Sequence, residues 1–179
     1  MARVSTIEDN THPELSDLME RIRGARRGRL INVYKLLLHS PALAESWFLH
    51  NNAVRWKTAL DGRLREMVII RIGHVLRVPY IVRQHVPKLA IPEGLTIEEC
   101  DDLRDWQASP RFGARDRAAL AYADSMTRDV DVPDAIFESL KPFFDERQLV
   151  ELTILIGTYN MHARVVCALK IDPEAASPG

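Results

Sequence analysis

Apolar residues recur at helical spacing along most of the chain. Leu15, Leu18, Met19 and Ile22 fall three or four apart, the period of one buried helix face. The pattern predicts helix over 15–38, interrupted by Arg23-Gly24-Ala25-Arg26-Arg27-Gly28-Arg29, whose two glycines predict a break or kink. That basic run has the composition to hold an anion, but a solvated face explains it more simply. Ser40-Pro41 predicts a start, a capping side chain followed by proline at the first helical position, with helix over 42–51. Asp61 caps a further helix running to Gly73. Thr96-Ile97-Glu98-Glu99 and Asp145-Glu146-Arg147-Gln148 have the form of capping boxes and open helices over 97–106 and 149–169. Alanine-rich 114–126 is helical on propensity, and Val132-Pro133 opens another short element.

Two apolar runs, Val68-Ile69-Ile70-Arg71-Ile72 and Leu152-Thr153-Ile154-Leu155-Ile156, are β-branched enough to be buried strands. Neither alternates apolar with polar, and both follow a cap, so helix is expected. The two regions echo each other. Leu60-Asp61-Gly62-Arg63-Leu64-Arg65-Glu66 with an apolar run to Gly73 resembles Phe144-Asp145-Glu146-Arg147-Gln148-Leu149-Val150-Glu151 with one to Gly157, after a one-residue shift. The whole reads as an all-α chain with a weak internal repeat. We expect a flexible leader over 1–12, one helical domain over 13–172 and a tail over 173–179.

Composition narrows the function classes. The chain has 179 residues, 46% of them hydrophobic, and a formal net charge of -1. Such a balance gives no bulk attraction to nucleic acid or an anionic membrane. No uninterrupted apolar run reaches the ~20 residues of a membrane helix, and the polar first thirteen residues lack a signal peptide's apolar stretch. A cytoplasmic protein with a small-molecule partner is expected, with neither a nucleic-acid nor a membrane partner. Cys100 and Cys167 are too few for a disulfide framework and too far apart for a local metal knuckle. His74 and His85, eleven apart, lack local ligand spacing, so no metal is expected.

The stretch 64–89 carries the candidate chemistry. Glu66 stands in an otherwise apolar helix, Gly73 ends or loosens it, and Val78-Pro79 starts a second helix containing His85. Glu66 lies nine or ten residues before the turn near 74–77, and His85 as far after it. At ~1.5 Å per residue, two antiparallel helices would set them at one height, where a carboxylate and an imidazole can meet. Tyr80 would add a phenol, and the three together make a workable proton relay. Taken singly, each has a plainer explanation. Glu66 can pair with Arg63 or Arg71, His85 can be a satisfied interior histidine, and Tyr80 can be packing.

Glu66, eleven residues, Val78, two residues, Ile81, three residues, His85 resembles the alkylhydroperoxidase D signature Glu-x11-Cys-x2-Cys-x3-His. The words Leu64-Arg65-Glu66-Met67-Val68-Ile69 and Val78-Pro79-Tyr80-Ile81-Val82-Arg83-Gln84-His85-Val86 resemble the carboxymuconolactone decarboxylase-like branch of that superfamily. Asn32, Ser40-Pro41, Trp47 and Gly157-Thr158-Tyr159-Asn160 extend the likeness over about residues 28–170. Val78 and Ile81 stand where the peroxidase branch has its cysteines, and neither can attack a peroxide or resolve a disulfide.

The resemblance implies an all-α alkylhydroperoxidase D-like bundle and cofactor-free acid–base chemistry, decarboxylation or isomerisation, on a small carboxylic acid or lactone. It implies His85 as general base or acid, Glu66 as its orienting carboxylate and Tyr80 as donor to a carbonyl or carboxylate. Arg71 and Arg83 are candidates to hold the acid group, since guanidinium suits carboxylates, although surface solvation also accounts for them. It further implies a homo-oligomer, a trimer or hexamer. Two other readings stay open: a non-catalytic ligand- or protein-binding oligomer of the same fold, and weak peroxidase activity through Cys100 or Cys167.

Overall fold

A computed structural model describes residues 2–8, 11–26 and 28–174 of the chain. Among these, nine α-helices and no strand occur. They are α1 (Ser16–Ala25), α2 (Asn32–Leu37), α3 (Pro41–Trp56), α4 (Gly62–Val75), α5 (Pro79–His85), α6 (Ile97–Asp102), α7 (Ala114–Arg128), α8 (Asp134–Glu138) and α9 (Glu146–Leu169). The expected break separates α1 from α2; of the basic run, Arg27 lies outside the described residues. Both β-branched runs are helical. Ten consecutive residues of α4, Leu64 to Gly73, are buried. A helix covered on every side shows no apolar stripe, so its sequence carried no clear period.

The helix starts follow their capping chemistry in most cases. Asp61 accepts from Leu64 N at 2.8 Å, and Thr96 and Glu99 form a complete capping box. Asp145 and Gln148 do the same before α9, at 2.8 and 3.2 Å. Ser40 is the exception. It precedes α3, but its side chain makes no capping bond, so Pro41 with its preset φ supplies the start.

The helix that Pro79 starts is α only to His85. It continues as one wide π turn, Val86–Ala90. Pro87 has no N–H to give to Arg83 and its ring crowds that carbonyl, and a widened turn relieves both.

The chain clusters into two compact units, residues 1–57 with 165–179, and residues 58–164. In the first, Ile7, Leu15, Met19, Leu38 and Ala44 form an apolar cluster. The described part of the leader is tied down there. Ile7 is buried, its N–H bonds Lys35 O at 3.1 Å, and Ser5 O meets His39 Nε2 at 2.8 Å.

In the second unit, α4 packs against α5 and α7. Gly73 makes the α4–α5 approach possible. A Cβ there would lie 3.1 Å from Val82 Cγ2 and 3.2 Å from Ile81 Cγ2.

By length and composition α9 is long and apolar enough to cross a membrane, with a mean hydropathy of 1.2 over its best window. Two of its polar residues, Thr153 and Asn160, bond within the protein. Thr153 meets Tyr122 Oη at 2.8 Å, and Asn160 donates to Thr127 Oγ1 and Ile156 O, both at 3.0 Å. Those bonds are the habit of a core helix.

Candidate active site

The α4–α5 hairpin brings Glu66 and His85 together. His85 Nδ1 lies 2.5 Å from Glu66 Oε2. Glu66 is fully buried and His85 nearly so, at 7% exposure. A carboxylate on Nδ1 favours the tautomer that carries its proton there. Arg65 Nε stands 3.6 Å from Glu66 Oε1, and its Nη2 donates to Glu93 at 3.0 Å. Cation and imidazole therefore flank the two carboxylate oxygens.

The alternative partners of Glu66 are engaged elsewhere. Arg63 reaches Glu99 at 2.6 Å and Asp116 at 2.9 Å, and Arg71 binds Asp124. Tyr159, from α9, presses edge-on against His85 with ring centroids 5.4 Å apart, and His162 lies 5.0 Å from Tyr159. Sequence reasoning missed Arg65, Tyr159 and His162 as neighbours of the pair. A tyrosine in an apolar helix is indistinguishable from packing, and an arginine next in sequence to a glutamate rarely shares its helix face.

Two further candidates, Tyr80 and Arg83, lie on α5. Tyr80 is half-buried in the first turn of α5. Ile81, not Tyr80, stands one full turn before His85 on the same helix face. Arg83 is exposed and lines a cavity of about 560 Å³ at the α4–α5 turn, together with Gly73, Val78, Pro79 and Val82. Glu66, Tyr80 and His85 are not among its lining residues.

Arg71 sits in a setting unlike the one expected of a substrate-holding residue. Its Nε and Nη2 donate to Asp124 at 2.5 and 2.6 Å, and its Nη1 donates to Leu103 O and Arg104 O at 2.8 and 2.9 Å. It is 3% exposed. A guanidinium saturated in this way ties α4 to α7 and to the carbonyls just past α6.

The cysteines lie outside the signature positions, which Val78 and Ile81 fill with buried apolar side chains. Cys100 is buried, and its thiol is pushed up to about 11, first by burial and then by the charges of Glu99, Asp101 and Glu66. Cys167 is exposed. Among the described residues, no cluster of three His, Cys, Asp or Glu side chains has the arrangement to hold a metal.

Fold and site together define a helical protein built on a buried carboxylate–imidazole hairpin without the two signature thiols. Residues 41–125 match the model of the Carboxymuconolactone decarboxylase family. YnjA, an uncharacterized protein of Escherichia coli (strain K12), is 33% identical over 121 residues, 67% of this chain and 66% of its own length; the chain thus spans just under two thirds of that relative. Among solved structures, an uncharacterized peroxidase-related protein from Silicibacter sp. TM1040 has a TM-score of 0.84 at 21% identity, over 97% of this chain and 92% of that one. The debrominase Bmp8 has a TM-score of 0.80 at 18% identity, over 97% and 92%. At such identities the two structures speak for the fold alone. Over residues 41–125 the chain is similar to the Carboxymuconolactone decarboxylase family, and its fold is that of these solved structures.

Proposed function

We propose that this protein is an acid–base enzyme that performs decarboxylation or isomerisation on a small carboxylic acid or lactone without metal or organic cofactor, and that it is not a thiol peroxidase. The observation that carries the reading is the 2.5 Å contact of His85 Nδ1 with Glu66 Oε2 inside the hairpin. Glu66 orients the ring and balances its charge when Nε2 takes a proton, which is the arrangement of a general base that returns the proton as an acid. In a decarboxylation, the carbon–carbon bond to the leaving carbon dioxide breaks. Its electron pair moves onto the adjacent conjugated carbonyl, and His85 then protonates the carbon. In an isomerisation, Nε2 removes a proton beside a carbonyl and returns it at a second carbon. Tyr80 donates to the carbonyl in either case, and Arg83 holds the acid group.

Cys100 gives no support to peroxide chemistry. A thiol pushed to about 11 is almost wholly protonated at neutral pH, and the thiolate is the nucleophile. The likeness to a debrominase is a reminder that one fold hosts several chemistries.

A second reading, a non-catalytic binding oligomer of the same fold, draws support from a cavity at the α4–α5 turn whose wall holds none of Glu66, Tyr80 and His85. Under either reading we place the protein in the cytoplasm as a homo-oligomer. Val150, Ile154 and Met161 are exposed on α9; with exposed Gly157 they form a stripe spaced four, three and four residues apart, the seam one helix presents to another.

The test is carbon dioxide release and deuterium uptake from heavy water across a panel of small carboxylic acids and lactones. Wild type and Cys100→Ser should turn over the same compound, and His85→Gln and Glu66→Gln should not. Turnover untouched by His85→Gln would contradict the assignment.

A further inference from the structure

Four ionisable side chains of the second unit stand in a row, Glu93, Arg65, Glu66 and His85, alternating acid and base. Arg65 Nη2 donates to Glu93 Oε1 at 3.0 Å, Arg65 Nε stands 3.6 Å from Glu66 Oε1, and Glu66 Oε2 meets His85 Nδ1 at 2.5 Å. The row starts at the surface and runs inward. The Glu93 side chain is 35% exposed, that of Arg65 is 6% exposed, and that of Glu66 is fully buried.

The backbone is shaped to close this row. His85 ends α5, and Glu93 follows the π turn, just before Gly94 at φ 95. Glu93 N bonds Leu89 O at 3.2 Å and Leu95 N bonds Ala90 O at 3.0 Å, a tight turn that carries Glu93 back to the start of α4. A Cβ at Gly62 would collide with the Glu93 carboxylate, so glycine at the first position of α4 leaves the room that Glu93 fills. Segment 85–93 thus grips two adjacent residues of α4, Glu66 with its first residue and Arg65 with its last.

The charges matter as much as the grip. A buried carboxylate balanced by an imidazole alone favours the doubly protonated ring and holds its proton tightly. A guanidinium on the other oxygen shares the carboxylate's field and, as a like charge, opposes a positive charge on His85. Other titratable groups face the pair from neighbouring helices. Cys100 of α6 feels the charge of Glu66, and Tyr159 of α9 lies against His85, with His162 beside it. Of Cys100, Tyr159, His162 and Arg65, only Arg65 carries a positive charge that pH does not alter. We propose that Arg65 is a positioning residue for the Glu66–His85 pair: tethered by Glu93, it holds the Glu66 carboxylate ionised and in place, and so keeps the imidazole able to release and retake its proton. The proposal deepens the acid–base reading and rests on it for the consequence in turnover; the charge relation is read without a substrate.

Nitrogen NMR of histidine-labelled protein tests it, through the pH midpoint at which the His85 ring gains its second proton. Each variant is first checked by circular dichroism to be folded. Arg65→Gln should raise the midpoint by about one pH unit or more, because the carboxylate has lost its fixed cation. Arg65→Lys restores the positive charge and should bring the midpoint most of the way back. Glu93→Gln, at a partly exposed position, keeps an acceptor for Arg65 but removes the charge that offsets the guanidinium, so it should lower the midpoint. That variant decides the matter even where Arg65→Gln does not fold. A wild-type ring that stays doubly protonated well above neutral pH would overturn the proposal. So would a midpoint unmoved in folded Arg65→Gln, a rise that Arg65→Lys does not reverse, or a Glu93→Gln midpoint equal to or above that of wild type. The acid limb of the pH–rate profile should shift with the midpoint; a profile that does not follow it bears on the acid–base reading alone, so the two fail separately.

Discussion

Helix α4 carries two buried ionic contacts five residues apart, and they are built for opposite ends. Arg71 and Asp124 make a two-pronged pair, with Nη1 of Arg71 given to two carbonyls and Trp106 Nε1 adding to Asp124 at 3.2 Å. Arginine does not lose its proton in the working range, so this contact has one state. Glu66 and His85 make a close contact between two side chains of types that can gain or lose a proton, against the edge of Tyr159. The first is a fixed tie, the second a contact that can change its proton count while the helices stay in place. Burial alone therefore does not separate structure from function; the chemistry of the partners does.

The largest expected effect breaks the tie. Arg71→Met or Asp124→Asn strands a buried partner, and either should cost about 3–5 kcal/mol of stability, read as a drop in urea midpoint. Glu66→Gln keeps a neutral hydrogen bond to the imidazole and should cost about 1 kcal/mol, while turnover falls by about 10²-fold or more. Equal destabilisation by Asp124→Asn and Glu66→Gln would erase the contrast.

A smaller effect uses Cys100 as a reporter. Glu66's charge is one cause of that thiol's high value near 11. Thiolate absorbance should therefore appear at lower pH in Glu66→Gln and at unchanged pH in Arg83→Gln. The smallest effect is on His74, three residues beyond Arg71. Burial, opposed by the Cys100 carbonyl and reinforced by Arg104 and Arg71, holds its imidazole below the usual value of 6.5. The unfolded chain then takes up its proton first as pH falls. The stability His74 contributes is complete above pH 6.5 and is lost on acidification toward its folded value. His74→Gln should flatten that acid limb of the stability profile.

Much of this architecture is legible in the sequence, for local reasons. Asp61, Thr96 and Asp145 mark helix starts because capping is a matter of three or four adjacent residues. The Glu66–His85 meeting is legible because a hairpin converts equal spacing from a turn into equal height. The setting of Arg71 was not legible, because its partners Asp124, Leu103 and Arg104 come from distant parts of the chain and nothing near it in sequence announces them. Ser40 and Pro87 show the limit of local rules. A residue of the right type need not make its bond, and a proline inside a helix can be absorbed by one wide turn. The cavity was legible only through Arg83.

On the proposed reading, Glu66 and His85 share a proton through Nδ1 within the folded hairpin. Nitrogen NMR of histidine-labelled protein tests it most directly, by resolving the imidazole proton of His85 across pH. The account predicts a slowly exchanging, strongly deshielded proton on Nδ1 that disappears in Glu66→Ala and persists in Arg83→Gln. A His85 ring that carries its proton on Nε2 alone at neutral pH, with a spectrum indifferent to Glu66→Ala, would contradict it.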